Sequence, residues 1–214
     1  MATGVDVSKT RLDDLDRMVV RDSLGEPFSK KTVCNFGSGA STLSRALASN
    51  GHTVYNYDER DLHSHFLLDQ ALGLRSNFTQ LDIANIRKHN LPKVIDFAVF
   101  QRVLHYLPYK EVRVLLERVT RNLDEEGRVY IALSGLESEL GRGYAAADSL
   151  VHSRMGVLDE QVAKDFFIEK PVCLYTQTDA EQLVGEIDGL EIDQIWQSDF
   201  GNLKLVRRKT VKSS

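Results

Sequence analysis

Residues 32–41 read Thr-Val-Cys-Asn-Phe-Gly-Ser-Gly-Ala-Ser, and the way this stretch breaks decides the fold. A short apolar run, Val33 to Phe36, stops at Gly37-Ser38-Gly39, and residues 42–50 then place Leu43, Ala46 and Leu47 on one helical face. The order is strand, glycine turn, helix. Glycine tolerates positive φ and, lacking Cβ, lets a ligand approach the backbone, while the helix that follows turns its free N–H groups and positive dipole end toward the same space. A turn of this kind suits a nucleotide-like ligand. Its spacing is G-x-G with Ser41 where a third glycine could stand and Thr42 at the last glycine of the dinucleotide fingerprint, so by itself it also fits an ordinary tight βα turn.

Reading outward, Leu12, Leu15 and Val19, with Met18 beside them, form a stripe that predicts a helix over 11–24, ended by Gly25-Glu26-Pro27. Downstream, Gly51 closes the helix of 42–50, and the run from His52 to Tyr57 predicts a second strand with Asp58 at its carboxyl end. In an open α/β sheet ligands bind beyond the carboxyl ends of the strands. Asp58 lies 19 residues after Gly39, near the offset of roughly 20 at which a carboxylate accepts from ribose hydroxyls. It also precedes a helical pattern carrying Leu62, Phe66, Leu67 and Ala71, so a helix N-cap is the plainer alternative. Phe78 to Leu81 predicts a third strand with Asp82 just beyond it, and Val94 to Phe100 a fourth whose continuous apolar run indicates burial on both faces of a parallel sheet. Gln101 leaves that strand; a helix over 110–123 and a fifth strand over 128–134 follow Pro108.

Residues 135–171 are irregular and too long for a plain connection, which predicts a lid or substrate-side insertion. Thr178 and Glu181 would cap a helix using Leu183, Val184 and Ile187. Residues 190–196 and 202–206 read as a hairpin, and the basic end from 207 to 214 as a solvated tail.

The chain has 214 residues, enough for one large domain, with 42% hydrophobic and 27% charged residues, a soluble globular composition. A net charge of −4 gives no broad basic field for nucleic acid. No apolar leader or membrane-spanning run is evident, so a cytoplasmic location is expected. Cys34 and Cys173 lack any paired framework and read as reduced packing residues. His63 and His65, two apart on a helix, face different ways, so no metal site is expected.

In this order the residues resemble the class I S-adenosylmethionine-dependent methyltransferases, over about residues 30–208. VCNFGSGAS is similar to the family's glycine-rich first motif, YDERD to its acidic second strand end, QLDI to the third motif, DFAVFQRVLHYLP to the fourth and LDEEGRVYIALSG to the strand-five motif. The resemblance implies a single α/β domain: a Rossmann-like, mainly parallel seven-stranded sheet with helices on both faces and an antiparallel C-terminal hairpin strand. It implies S-adenosylmethionine as cofactor, held by Asn35 and the Gly37-Ser38-Gly39 turn, by Asp58 and Glu59 at the ribose, by Asp82 and Ile83 at the adenine, and by Gln101 at the methionine end. Asn35 departs from the acidic residue common there, and Ser41 from the third glycine.

The implied reaction is methyl transfer to O, N or C of a small-molecule acceptor, in which positioning does most of the work and a base is needed only for a protonated acceptor. His105 is the candidate base, because histidine titrates near neutrality; packing against Tyr106 is the plainer reading of the same residue. Arg142, Tyr144 and Arg154 could bind an anionic substrate, or belong to a solvated loop. No serine nucleophile elbow or Walker lysine is present. A catalytically silent, methyltransferase-like binding or regulatory protein is the alternative, motivated by Asn35 and Ser41. A nicotinamide-dependent oxidoreductase is disfavoured by the missing third glycine and the terminal hairpin.

Overall fold

The structure is a computed structural model that describes residues 12–25 and 29–209. Arg11, Glu26-Pro27 and residues 210–214, to which parts of the readings above refer, lie outside the described residues. The elements run α1 (Asp14–Ser23), β1 (Thr32–Phe36), α2 (Thr42–Ser49), β2 (Thr53–Asp58), α3 (His63–Ala71), β3 (Ser76–Gln80), β4 (Ile95–Gln101), α4 (Tyr109–Thr120), β5 (Leu123–Leu133), β6 (Met155–Gly156), α5 (Glu160–Phe166), β7 (Val172–Cys173), α6 (Gln177–Gly185), β8 (Leu190–Gln197) and β9 (Leu203–Lys209). Seven strands form one sheet in the order β3-β2-β1-β4-β5-β9-β8. The first five pair in parallel, β9 is antiparallel to β5, and β8 is antiparallel to β9.

Alternation along the inner strands produces two cores. In β4, Phe97 and Val99 join Tyr130 and Ala132 of β5 and Val33 of β1 beneath Leu15 and Val19 of α1 and Leu43 and Leu47 of α2. Ala98 and Phe100, with Val129, Ile131 and Leu133, face the other way onto Val112, Leu115 and Val119 of α4 and Leu183 of α6. Apolar residues on both faces of β4 and β5 are therefore buried by helices on both sides, as their unbroken runs require. The segment after β5 has its own apolar cluster, in which Leu140, Tyr144, Leu158, Val162 and Ile168 pack together.

Three local readings are corrected. The helix α6 is capped by Thr176 and Asp179, each side chain bonded to the other's backbone N–H, not by Thr178 and Glu181. On α3 only Phe66 of the expected stripe is buried within the helix, and Leu67 is exposed. The basic end is strand through Lys209: β9 lies between β5 and β8, so Arg207 is buried and donates to the carbonyls of Val184 (3.0 Å) and Leu190 (2.5 Å) instead of standing in solvent. Burial lowers its pKa to about 10.

Candidate functional site

The carboxyl ends of β1, β2, β4 and β5 open into a cavity of about 860 Å³, at the upper end of the range for small-ligand sites. The glycine turn, residues 58–60, Asp82, Ile83 and the segment 101–107 line its floor; α1, residues 138–140, residues 165–170 and the β8–β9 turn close over it. Asn35, Gly37, Ser38, Gly39, Asp58, Glu59, Asp82, Ile83, Gln101 and His105, scattered over 71 positions of sequence, all line this one cavity.

Their local bonds explain the turn. The N–H groups of Gly37 (2.8 Å) and Ser38 (3.0 Å) both donate to the Tyr57 carbonyl, and that of Gly39 (2.9 Å) to Asp58 Oδ2. The turn is tied to the end of β2, leaving none of these three amides for a ligand. Gly37 has φ +65°, and a Cβ there would lie 2.4 Å from Val103 Cγ2. Glycine is required by contact with the chain leaving β4, so the close approach at this position is to protein, not to a ligand.

The two departures from the family's first motif compensate one another. Asn35 Nδ2 donates to the hydroxyls of Ser41 (2.9 Å) and Ser44 (3.0 Å). The Ser44 hydroxyl in turn donates to Asn56 Oδ1, and Asn56 Nδ2 to Ser76 Oγ (3.1 Å). This buried chain of neutral groups fixes β1, β2, β3 and α2 relative to one another, and holds Ser41 at a positive φ of 30° while its hydroxyl caps α2.

Asp58 is a buried carboxylate with every acceptor direction used. Oδ1 receives the Arg60 N–H and Nε (both 3.0 Å), and Oδ2 receives Gly39 and Arg60 Nη2 (3.2 Å). The helix that follows is capped at Leu62, so Asp58 is not its N-cap. The Arg60 side chain is 36% exposed, and its Nε and Nη2 occupy two of the Asp58 acceptor positions at the cavity wall. Glu59 pairs with Lys170 (2.7 Å), joining the end of β2 to the segment after α5 across the cavity mouth. Asp82, an exposed residue next to Ile83, caps a short 3₁₀ turn by accepting from Ala84 N–H (2.9 Å) at Oδ1, and its Oδ2 accepts only a long bond from Asn85 Nδ2 (3.4 Å).

On α1, Asp13 and Asp16 form a capping box. Gln101 Nε2 donates to Asp13 Oδ2 (2.6 Å), Lys204 of β9 pairs with both Asp13 (2.6 Å) and Asp14, and Trp196 of β8 donates to Asp14 Oδ2 (2.9 Å). Burial, with the Asp13 charge beside it, pushes the Asp16 carboxyl up to about 6.

His105 is 3% exposed, packed on Tyr106 with ring centroids 4.1 Å apart, and its Nδ1 lies 3.2 Å from Ser134 Oγ. Burial, and then the charge of Arg102, lower its pKa to about 3. Its proton affinity is far below that of a base poised near neutrality. Its Nε2 is buried and without a partner among the described residues.

The predicted anion-binding residues of the insertion are structural. Arg154 is buried, donating to the carbonyls of Ser149 and Leu174 and paired with Asp179, and the one proton of the Tyr144 hydroxyl is shared between the carbonyls of Arg154 (2.7 Å) and Val172 (2.6 Å). Arg142 pairs at the surface with Asp165 (3.6 Å). Arg102, which sequence reasoning passed over, is the arginine that lines the cavity beside His105. Its signal was only its place, one residue past the end of β4.

No family model and no curated protein matches the chain by sequence. Solved structures do match by fold. The 1,6-didemethyltoxoflavin-N1-methyltransferase of Burkholderia thailandensis, with bound 1,6-didemethyltoxoflavin and S-adenosylhomocysteine, is 16% identical, with TM-score 0.67 over 96% of this chain and 82% of that one. Magnesium protoporphyrin IX methyltransferase of Synechocystis, with bound S-adenosylhomocysteine, is 17% identical, with TM-score 0.65 over 91% and 82%. An S-adenosylmethionine-dependent methyltransferase of Clostridium acetobutylicum is 10% identical, with TM-score 0.70 over 96% and 95%. The fold of this chain is that of the class I S-adenosylmethionine-dependent methyltransferases.

Proposed function

We propose that the protein is an S-adenosylmethionine-dependent methyltransferase that acts on O, N or C of a small-molecule acceptor. The observation that carries the proposal is the gathering of all the motif residues around one cavity whose volume accommodates a nucleoside cofactor together with a small acceptor. The residues fit the cofactor. Asp58 would offer a carboxylate at a strand end once Arg60 swung out, Asp82 is an exposed residue beside the apolar Ile83, and Gln101 Oε1 is a buried acceptor with no partner among the described residues. S-adenosylmethionine supplies an electrophilic methyl group on a sulfonium.

The chain's residues bind and orient. Asp58 and Glu59 hold the ribose, Asp82 and Ile83 the adenine, Gln101 the methionine portion, and Asn35 keeps β1 in place against α2. His105, which lines the cavity and whose Nε2 is unpartnered among the described residues, would as the neutral Nε2–H tautomer position the acceptor by a hydrogen bond instead of deprotonating it. The α1 helix and the segment 135–171 exclude water, which suits a displacement governed by alignment.

Transfer of labelled methyl from S-adenosylmethionine into fractionated small molecules is the test. Label entering one fraction, and none with heat-inactivated protein, is expected. The neutral Asn35 and the occupied Asp58 favour a second reading, a catalytically silent binding protein: cofactor binding with no label entering any fraction would select it.

A further inference from the structure

Three buried side-chain atoms on the five residues that leave β4 have no hydrogen-bond partner among the described residues: Gln101 Oε1, Arg102 Nε and His105 Nε2. Buried polar atoms are normally bonded, so such a group on a cavity wall is best explained by what the cavity holds. Arg102 differs from the other cations there. Arg60 pairs with Asp58, Lys170 with Glu59, Lys204 with Asp13 and Asp14, and Arg17 Nε donates to the Asp13 carbonyl. Arg102 Nε has no hydrogen-bond partner among the described residues, and the only carboxylate on which the Arg102 charge is felt among the shifted groups described is Asp16 of α1.

Its backbone is also unusual. Arg102 has φ +50°, held by its N–H bonding to the Ala132 carbonyl (3.0 Å). A non-glycine residue in the left-handed region costs of order 1 kcal/mol and persists where the surroundings impose it, commonly at ligand sites. A planar fork of donors on a rigid turn, half-buried and with an unbonded Nε, is the arrangement that binds a carboxylate in bidentate fashion.

We propose that Arg102 is the specificity-determining residue of the acceptor subsite and that the acceptor is a carboxylic acid, held by Arg102 while its nucleophilic atom lies toward His105 Nε2. The proposal rests on the methyltransferase reading, because it takes the acceptor to share the cavity with the cofactor. The one competing source of a carboxylate there is the methionine portion of the cofactor itself.

Calorimetric titration separates the two. The protein saturated with S-adenosylhomocysteine is titrated with 4-hydroxybenzoate, salicylate, indole-3-acetate and hexanoate, each beside its primary amide. The wild type is expected to prefer at least one acid over its amide by about tenfold or more, and Arg102→Gln to lose that preference. The variant is also expected to bind S-adenosylhomocysteine and 5′-methylthioadenosine, which lacks the amino-acid portion, as the wild type does. Should Arg102→Gln not fold, Arg102→Lys serves: it keeps the charge and loses the fork, so acid binding weakens several-fold with cofactor affinity unchanged.

Absence of any acid preference in the wild type, or its retention in the variant, overturns the proposal. So does a variant that loses affinity for S-adenosylhomocysteine and keeps it for 5′-methylthioadenosine, since the carboxylate is then the cofactor's. If the wild type binds no S-adenosylhomocysteine, the methyltransferase reading itself fails and this proposal with it, an outcome distinct from cofactor binding without acid preference.

Discussion

In the proposed function Asp58 is the residue on which cofactor recognition turns, and its four acceptor directions are filled by Gly39 and Arg60. Asp58→Asn keeps one oxygen to accept from Gly39 and removes the charge, so the fold is expected to survive. Affinity for S-adenosylhomocysteine should fall about tenfold or more, matching the roughly 1.5–3 kcal/mol of a charge-assisted hydrogen bond; unchanged affinity would remove Asp58 from the site. Gly37→Ala is expected to destabilise by several kcal/mol, because the φ of +65° and the 2.4 Å approach to Val103 both oppose a side chain; a melting temperature equal to wild type would contradict this packing. For His105, whose pKa is about 3, the ring signals in NMR should stay flat from pH 8 to pH 5. Its folded pKa lies below the unfolded value of about 6.5, so its contribution to stability is complete above pH 6.5 and is lost as pH falls toward 3. The place of Asp58 at the end of β2, facing the cavity, was legible in the sequence because strand end and offset from Gly39 are local signals. Arg102 was not, because what sets it apart is the absence of a partner, a property of the assembled cavity.

At the scale of elements, α1 is fastened over the cavity by charge. Lys204 and Trp196 come from the last two strands, and Gln101 from β4, so the helix joins two distant parts of the sheet edge to the cavity roof. Asp16 pays for that position, with its carboxyl pushed up to about 6 by burial. The raised pKa means that the folded state favours the protonated form: the stability is present below the unfolded value of about 3.9 and is lost as pH rises through 6. Asp16→Asn retains an acceptor for the Asp13 N–H. It is therefore expected to raise unfolding free energy at pH 8 by about 1–3 kcal/mol, with the gain vanishing near pH 4; urea unfolding at the two pH values checks it, and an equal effect at both would show that burial of the charge is not the cause. Apolar stripes made α1 and the fourth strand readable, but the acidic cap residues of α1 look like ordinary first-turn charges until β8 and β9 are in place.

For the whole molecule, the βα order and the glycine turn were enough to expect a doubly covered parallel sheet, and the alternation in β4 and β5 shows why: both faces are core. The place of β9 could not be read locally. Residues 202–206 read as a hairpin strand and the basic residues from 207 as tail, yet the whole of β9, lying between β5 and β8, buries Arg207 and delivers Lys204 to the cavity. The length of the segment 135–171 is what sets it apart in the sequence, whereas the burial of Arg154 and Tyr144 depends on contacts with residues beyond it, Val172, Leu174 and Asp179. These parts meet in a single cavity, in which a nucleoside sulfonium cofactor is proposed to bind. Calorimetric titration with S-adenosylmethionine, S-adenosylhomocysteine and NAD decides it. One-to-one binding of the first two and none of NAD is expected; binding of NAD alone, or of none of the three, would rule the cofactor out.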